Sequence, residues 1–359
     1  MMSSISLAMI VKNEQKYIQR CLQSVKPMVS EMIVVDTGST DDTREIALSC
    51  GAIVVDFPWI DDFSAARNFA IEHATSDWIL CMDADEFFER DYSNELKEFL
   101  RTNDNSIGRI TIKSEFTEGN DIQVVKANIS RIFPRHLRFT GRIHEQLAST
   151  LPRVDTKLKV NHDGYFNTNK SDRNLRLLLL ELNSKPQEPY LLFQLGKEYK
   201  RIGELAKAEH FFTEGYQLLN TTSPRYIQEA IVDYLYILLD NQNYEKAIDV
   251  ITETQQSLHL LADFHFVCGL IYTNLAIALP TEAASLIPLI EQSYVSCLRL
   301  GEDGVDDIIT GTSTFLAAYN LALFYETVGQ EKKAQSFYQY ASSMGYKPAS
   351  NRISMESIL

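Results

Sequence analysis

Two acidic side chains that follow a strongly apolar run are the residues of this chain best suited to chemistry. Residues Trp78 to Met82 predict a buried strand, and Asp83 and Asp85 come directly after it. Residues two apart on an extended backbone project to the same face, so these carboxylates repel each other unless a cation lies between them. Mg²⁺ and Mn²⁺ prefer oxygen ligands and commonly bridge to the phosphates of a substrate. The pattern predicts a metal–diphosphate site, and a solvated acidic turn is the alternative for this motif taken alone.

Strands and helices alternate through the first hundred residues, which predicts a mostly parallel, doubly wound, Rossmann-like α/β sheet. Apolar runs predict strands at residues 5–11, 31–35, 52–57 and 78–82, and helical patterns occupy residues 13–25 and 63–74. Ligands bind such sheets at the carboxyl ends of the strands. Asn13 with Glu14, Asp36 and Asp83 each follow or end a strand, so we expect these polar groups to converge on one edge.

Two further residues have side chains that a nucleotide would use. Asp36 ends an apolar strand where no helix cap requires an acid, and its carboxylate can accept hydrogen bonds from a nucleobase N–H or ribose hydroxyls. Arg67 lies in the first turns of a predicted helix, where a cation opposes the helix dipole and requires an anionic partner. That partner is either a nucleotide or, as the alternative, a nearby carboxylate of Asp61, Asp62 or Glu72.

Four motifs, in this order and at this spacing, resemble the family-two glycosyltransferases of the GT-A fold. They are Met9–Glu14, Val34–Asp41, Asp62–Asn68 and Asp83–Glu86. The resemblance covers roughly residues 5 to 165. It implies transfer of a sugar from a nucleoside diphosphate, usually UDP, with a divalent cation and inversion at the anomeric carbon. The nucleotide-binding residues that it implies are Val11, Asn13, Glu14, Asp36, Thr37, Arg67, Asp83 and Ala84.

The resemblance also implies the ligands of the divalent cation. Asp85 and Asp83 are two of them, and His162 is the third, since in several GT-A enzymes a histidine downstream of the acidic pair completes the metal site. Imidazole suits Mn²⁺ better than Mg²⁺. A hydrogen-bonded core residue is the alternative for His162. Many members carry a second acid at the position of Thr37, often in contact with uracil, so the identity of the base stays open.

The segment 101–170 is strand-like and basic, and we expect it to hold the acceptor pocket and the catalytic base. An inverting transferase needs a carboxylate or an imidazole to take the proton of the acceptor. Glu145, after a glycine turn and a short strand, is the leading candidate, and His144 is the second. Because neighbouring residues on a strand face opposite ways, only one of the two is expected to face the sugar. The alternative to a catalytic role for Glu145 is a surface ion pair with Arg142 or Arg135.

Four arginines in the same segment form a further group of candidates. One or two of them are expected to hold the diphosphate or an acidic acceptor; the four are Arg131, Arg135, Arg138 and Arg142.

After Asn174 the sequence changes to long helical patterns that fit the tetratricopeptide repeat. Good copies lie at residues 192–212 and 321–348, with weaker copies near residues 244 and 268. The interval from Pro280 to Pro288 breaks the pattern and is expected to be an irregular insertion. Stacked helix pairs create a concave surface that binds a peptide or partner protein. A homodimer contact and simple helical packing are the alternatives.

These patterns predict a division of the chain into domains. A GT-A domain is expected at residues 1–170, with a nucleotide-sugar-binding half at 5–100 and an acceptor half at 101–170. A linker helix at 171–186 and an all-α repeat domain at 187–359 follow.

The bulk composition excludes several classes of partner. A net charge of −14 argues against broad binding of nucleic acid or anionic membranes. The five cysteines are scattered without C-x-x-C spacing, which indicates reduced thiols. The amino terminus lacks the pattern of a signal peptide, and no run approaches the roughly 18 apolar residues of a membrane span. A cytoplasmic location without a membrane span is therefore expected.

Together the patterns favour a metal-dependent UDP-sugar transferase whose repeats recruit a polypeptide acceptor. This arrangement is similar to that of the sublancin-type peptide S-glycosyltransferases, which modify cysteines of bacteriocin peptides. One alternative is a transferase that builds cell-envelope polysaccharide or a lipid-linked sugar. Another is a repeat scaffold whose sugar-nucleotide domain is inactive.

Overall fold

The computed structural model describes residues 4–118, 121–163, 171–219, 225–303 and 309–356. The chain divides into two compact units, Met1–Asn183 and Ser184–Leu359. The first unit mixes strands and helices, and the second is helical throughout its described residues. The predicted order of an α/β domain followed by an all-α domain is confirmed.

The first unit contains the strands β1 (Ile5–Val11), β2 (Glu31–Asp36), β3 (Ile53–Asp56), β4 (Trp78–Cys81), β5 (Glu86–Phe88), β6 (Ile107–Glu118), β7 (Asp121–Pro134), β8 (Phe139–Thr140), β9 (Gln146–Leu147) and β10 (Arg153–His162). Its helices are α1 (Ile18–Val25), α2 (Thr43–Ser49), α3 (Phe63–His73), α4 (Ser93–Thr102) and α5 (Ser171–Ser184).

One large sheet has the strand order β3-β2-β1-β4-β7-β6-β10-β5, and β8 pairs with β9 in a small separate hairpin. The four strands β1 to β4 are mutually parallel, as predicted. Beyond β4 the sheet becomes mixed, because β7 runs antiparallel to both β4 and β6 and β5 runs antiparallel to β10. The expectation of a mostly parallel sheet therefore holds for the first half of the unit, and the second half departs from it.

Apolar side chains cover both faces of this sheet. On β1, Leu7 and Met9 pack into one buried cluster with α1, whereas Ala8 packs into another cluster with α3. A strand that is buried on both faces requires a continuous apolar run rather than an alternating one. The run Ile5–Val11 is apolar except at Ser6, whose hydroxyl donates to Glu31, which explains why the sequence located the strand to the residue.

The helix predicted at residues 13–25 is shorter than expected and begins at Ile18. Asn13 has a φ of 57°, in the left-handed region that interrupts a right-handed helix. Its side-chain oxygen instead accepts the backbone N–H of Thr40 at 2.7 Å, and its own N–H donates to Ser39 Oγ at 2.9 Å. The residues after β1 therefore form a loop that is tied to the loop after β2.

The second unit is a series of antiparallel helix pairs. The described helices are α6 (Pro189–Arg201), α7 (Leu205–Gln217), α8 (Arg225–Asp240), α9 (Tyr244–Leu258), α10 (Ala262–Ala278), α11 (Ala283–Glu302), α12 (Phe315–Thr327), α13 (Glu331–Ser343) and α14 (Lys347–Glu356). Gly196 of α6 faces the ring of Phe212 on α7 so closely that an added Cβ would lie 2.6 Å from a ring carbon. Small residues at this offset let paired helices approach, as the repeat pattern predicts.

The same turn joins three of these pairs. A residue with positive φ follows the first helix, and the next N–H donates to the carbonyl five residues earlier. The left-handed residues are Gly203, Gln242 and Gly329, with φ of 79°, 56° and 75°.

The interval 280–288 is not an irregular insertion, so that prediction was wrong. α11 begins at Ala283 and continues through Pro288, which lies inside the helix. Proline removes one backbone donor there, but the surrounding helix buries Leu286 and Ile290 and tertiary packing outweighs the local cost. Among the described helices of the whole chain, none is both long and apolar enough to cross a membrane.

Candidate active site

A cavity of about 670 Å³ lies in the first unit where the carboxyl ends of β1, β2 and β4 meet the segments 59–67 and 143–145. The predicted site residues that line it are Val11, Asn13, Glu14, Thr37, Arg67, Asp83, Ala84, Asp85, His144, Glu145 and His162. Asp36 is the one residue of the predicted site that does not line the cavity. Side chains from sequence positions up to about 150 residues apart are thus brought together, as the strand-end argument predicts.

Asp83 is held by two arginines. Its Oδ1 accepts from Nη2 of Arg67 at 2.9 Å, and its Oδ2 accepts from Nη2 of Arg131 at 2.8 Å. Removal from bulk water would raise the pKa of Asp83, but Arg131 and Arg67 hold that pKa well below its usual range. Both carboxylate oxygens of this predicted metal ligand are therefore engaged by protein cations.

Arg131 also contacts a second acid. Its Nη2 lies 2.5 Å from Oε1 of Glu86, which is buried beside Asp83. Burial raises the pKa of Glu86, and its other oxygen accepts the backbone N–H of Asp83 at 3.0 Å. The buried ion pair between Arg131 and Glu86 therefore holds the turn that carries Asp83 and Asp85 in place.

Asp85 and His162 meet because of strand pairing. The antiparallel register of β5 and β10 places His162 opposite Glu86, the neighbour of Asp85. His162 Nε2 lies 3.3 Å from Asp85 Oδ2, and its Nδ1 lies 3.0 Å from the hydroxyl of Ser114. The hydrogen bond to Asp85 raises the pKa of His162 above its ordinary value.

These two side chains supply the donor types that suit a divalent cation. A carboxylate oxygen and an imidazole nitrogen are ligands for Mn²⁺ in particular, and the Ser114 contact is the outer-shell partner that orients a ligating histidine. No group of three or more His, Cys, Asp or Glu side chains is assembled as a metal cluster within the described ranges. The residues therefore fit a cation that receives its other ligands from substrate or water, and the role of Asp83 as a further ligand stays a prediction.

Glu145 and His144 both line the cavity, and which of the two faces the sugar stays a prediction. They lie in the turn between β8 and β9 rather than on a strand, and His144 has a φ of 51°. The alternation of an extended backbone does not apply there. Glu145 Oε1 lies 2.5 Å from Nε of Arg67, and neither predicted surface partner of Glu145, Arg142 or Arg135, forms this pair.

Asp36 is placed just outside the cavity lining. Its Oδ1 accepts the backbone N–H groups of Gly38 and Ser39, both at 2.8 Å. Its Oδ2 is buried and has no hydrogen-bond partner among the described residues. The next residue, Thr37, lines the cavity and donates its hydroxyl to the carbonyl of Val11 at 2.9 Å. A buried carboxylate oxygen without a donor is costly and indicates a missing partner.

The four arginines predicted to include a diphosphate ligand do not line the cavity. Arg131 belongs to the buried network, Arg135 and Arg138 donate to backbone carbonyls, and Arg142 contacts Glu181 and the carbonyl of Asp61. The sequence missed several lining residues, which are Ile10, Lys12, Trp59, Phe63, Ile143, Arg173 and Asn174. Phe63 lies within the motif Asp62–Asn68 that contains Arg67, and Trp59 lies three residues before it, so their nearness to Arg67 in the sequence was the available signal.

Comparison with known proteins agrees with this geometry. Residues 6–151 match the model of the family described as Glycosyl transferase family 2. Residues 6–151 are a family-two glycosyltransferase domain. The resemblance indicated by the four motifs and the GT-A fold class are thereby confirmed. The cavity is lined by this transferase domain, by His162 at the end of β10 and by two residues of α5.

The alignments with individual relatives extend beyond the transferase domain of this chain. A TPR repeat-containing protein of Synechococcus elongatus is 34% identical over 232 residues, 60% of this chain and 57% of its own length. The SPbeta prophage-derived glycosyltransferase SunS of Bacillus subtilis is 31% identical over 263 residues, 67% of this chain and 60% of its own. The chain thus spans less than two thirds of either relative.

A solved structure is also similar to part of the chain. It is the glucosyl-3-phosphoglycerate synthase from Mycobacterium tuberculosis in complex with Mn²⁺, UDP and glucosyl-3-phosphoglycerate. That protein is 27% identical, with a TM-score of 0.27, over 33% of this chain and 45% of its own.

Proposed function

We propose that the protein is an inverting, metal-dependent glycosyltransferase that moves a sugar from a nucleoside diphosphate, UDP in the first instance, to a polypeptide acceptor. The observation that carries the proposal is that Asp85 and Glu145 of the family-two domain line one cavity together with His162, which lies beyond the matched residues 6–151. A cation and a proton acceptor on facing elements are the two requirements of this reaction.

The donor is assigned to the edge formed by β1, β2 and β4. The unpartnered Oδ2 of Asp36 suits a hydrogen bond from the base or the ribose, and Asn13 fixes the neighbouring loop through Thr40. Asp85 and His162 would hold the Mg²⁺ or Mn²⁺, which neutralises charge on the leaving diphosphate when it is bound. Asp83, with its two arginines, orients the turn and presents its remaining lone pairs to the ribose.

Glu145 is assigned as the base that takes the proton of the acceptor. Its carboxylate lines the cavity, and the contact with Arg67 fixes it in position. His144, on the same turn, is the alternative base. The glycine at position 141, with a φ of 97°, gives this turn its shape.

The helical second unit is the reason for assigning a polypeptide as the acceptor. Repeated helix pairs of this kind bind extended or helical peptides on one face of the array, and the family-two relative from Bacillus subtilis aligns over 67% of this chain. A cysteine of a bacteriocin-type peptide is the acceptor that we favour, in a cytoplasmic setting.

A donor screen tests the proposal. The full chain is incubated with UDP-sugars and GDP-sugars, with and without Mn²⁺, and nucleotide release is measured; candidate peptides are then examined by intact mass. We expect release from one UDP-sugar that depends on the cation and is absent in Asp85→Ala. Asp155→Ala, which removes an exposed acid paired with Arg109, is the matched control and should behave as wild type. Metal-independent release, or none from any sugar nucleotide, would contradict the proposal.

A further inference from the structure

Arg67 is committed to protein partners at each of its three nitrogen atoms. Nε donates to Glu145, Nη2 donates to Asp83, and Nη1 lies 3.1 Å from the sulfur of Cys81. Three of its five N–H donors are therefore used inside the protein, and two carboxylates balance its charge. Arg67 therefore offers a phosphate group in the cavity only its two remaining N–H donors.

The cavity wall carries further basic side chains. Among the described residues of the cavity wall, the lysine and arginine side chains other than Arg67 are Lys12 and Arg173. Lys12 lies in an exposed position beyond the end of β1. Arg173 is in the first turn of α5, outside the stretch 6–151 that matches the family model. Its guanidinium has the planar fork that matches two phosphate oxygens, which an ammonium group lacks.

Helix α5 is fastened to the segment that precedes α3. Arg176 makes two hydrogen bonds of 2.6 Å to the carboxylate of Asp61, and Trp59 donates its ring N–H to the same carboxylate at 2.8 Å. Asp61 has a φ of 61°, so its backbone is held in a conformation that a non-glycine residue seldom adopts. Trp59 itself lines the cavity.

A second contact fastens α5 to the turn that carries the proposed base. The largely buried carboxylate of Glu181 lies 3.5 Å from Nε of Arg142 and 3.4 Å from its backbone nitrogen. The carbonyl of Arg142 in turn accepts the N–H of Phe63 at 2.9 Å. α5 is thus a wall of the site, although the sequence indicated only a linker helix.

Two cavity residues orient the head group of Arg173. Its guanidinium carbon lies 5.1 Å from the ring centre of Phe63, and its Nη2 donates to the side-chain oxygen of Asn174 at 3.0 Å. Phe63 and Asn174 also line the cavity. An arginine braced against a ring and an amide is pre-organised for a bidentate contact, so less entropy is lost when it binds an anion.

We propose that Arg173 binds the diphosphate of the nucleotide-sugar donor and that α5 holds it in place for this purpose. This assignment rests on the proposed function, since it specifies how the donor of that reaction is bound. It adds to the transferase site a residue beyond the family-two match.

Calorimetric titration of the full chain with UDP and with uridine, in the presence of Mn²⁺, tests the assignment. Arg173→Gln should weaken UDP binding by about tenfold or more, the scale of a lost charge-assisted hydrogen bond, and leave uridine binding unchanged. Arg173→Lys should retain part of the UDP affinity. Arg90→Gln is the matched control, because Arg90 also lies over a ring, that of Tyr92 at 3.8 Å, but is not among the cavity residues.

Each outcome has one meaning. UDP affinity equal to wild type in both Arg173 variants, with wild type binding UDP, would overturn the assignment and leave the proposed function standing. A variant that raises the KM for the acceptor alone would overturn it too, because the arginine would then face the acceptor. Wild-type protein that binds no nucleoside diphosphate would overturn the proposed function itself. Circular dichroism of each variant checks that α5 remains folded.

Discussion

Nε of Arg67 lies 2.5 Å from Oε1 of Glu145, although 78 residues separate them in the chain. The same guanidinium reaches Asp83 with Nη2 at 2.9 Å. The carboxylate that we assign as the base and the acid at the end of β4 therefore share one cation. Any ligand that displaces Arg67 from either partner changes the electrostatic surroundings of the other.

Replacing the proposed base tests its role most directly. Glu145→Gln should lower kcat by at least about a hundredfold, the scale of general-base loss, with UDP affinity nearly unchanged. Steady-state kinetics and calorimetry give the two quantities. A large effect of His144→Ala together with a mild effect of Glu145→Gln would exchange the two roles, and two mild effects would place the base elsewhere.

Asp85→Ala should abolish transfer and weaken UDP binding only when metal is present, because the proposed cation links this carboxylate to the diphosphate. UDP titrations with Mn²⁺ and with a chelator measure the difference. Equal activity of variant and parent at saturating metal would show that Asp85 is not a ligand.

The Asp85–His162 pair predicts a pH dependence in metal-free protein. The pKa of His162 is raised above its ordinary 6.5 by the hydrogen bond to Asp85. A raised folded-state pKa means that the stabilisation is fully present below the unfolded pKa and is lost as the pH rises through the folded one. His162→Asn should therefore lower the free energy of unfolding more at about pH 5.5 than at about pH 8.5.

Urea unfolding at the two pH values measures this difference. Asp85→Asn is the control, since it removes the hydrogen bond and should bring the pKa of His162 back toward 6.5, as followed by NMR titration. A difference that grows with pH would contradict the pairing.

Two truncations separate the roles of the helical unit and of α5. Deleting residues 187–359 keeps α5, so UDP binding and slow hydrolysis of the donor should persist while transfer to a peptide collapses, mostly through a raised KM. Deleting residues 164–359 also removes the Arg176–Asp61 contact and should weaken UDP binding. Circular dichroism must first show that each product folds. A folded 1–186 fragment that glycosylates its peptide normally would favour an oligomerisation role for the repeats.

A single methyl group tests the packing of the first helix pair. Alanine usually stabilises a helix relative to glycine, yet Gly196→Ala should destabilise the protein by about 1–3 kcal/mol because the new Cβ meets the buried ring of Phe212. Chemical denaturation measures the change. Gln194→Ala in the same helix is the control and should be near neutral. A stabilised Gly196→Ala variant would mean that the ring moves freely.

The sequence predicted those parts of the fold that local pattern determines. β1 is bounded by its apolar run, and Asp62 caps α3 by accepting the N–H of Ala65 at 2.9 Å. Asn13 shows where pattern fails, because its left-handed conformation is stabilised by Ser39 and Thr40, which only the folded chain brings near.

The sequence predicted many of the residues that line the candidate site, but it did not predict which of their side chains pair with each other. The acids at the end of β4 can be recognised in the sequence because they directly follow an apolar strand. That Asp83 pairs with Arg131 while Asp85 pairs with His162 depends on strand registers in the mixed half of the sheet, which no local pattern encodes. Arg173 was missed because its helix has an ordinary amphipathic sequence.

The turn shared by three helix pairs has a consequence for how this chain can change over evolutionary time. Gly203, Gln242 and Gly329 occupy one backbone conformation, so the joints are interchangeable and a helix pair can be duplicated or lost as a cassette. Gln242 shows that the joint tolerates a residue other than glycine. A helix pair could therefore be added to the array or removed from it without a change in the backbone conformation of the joint.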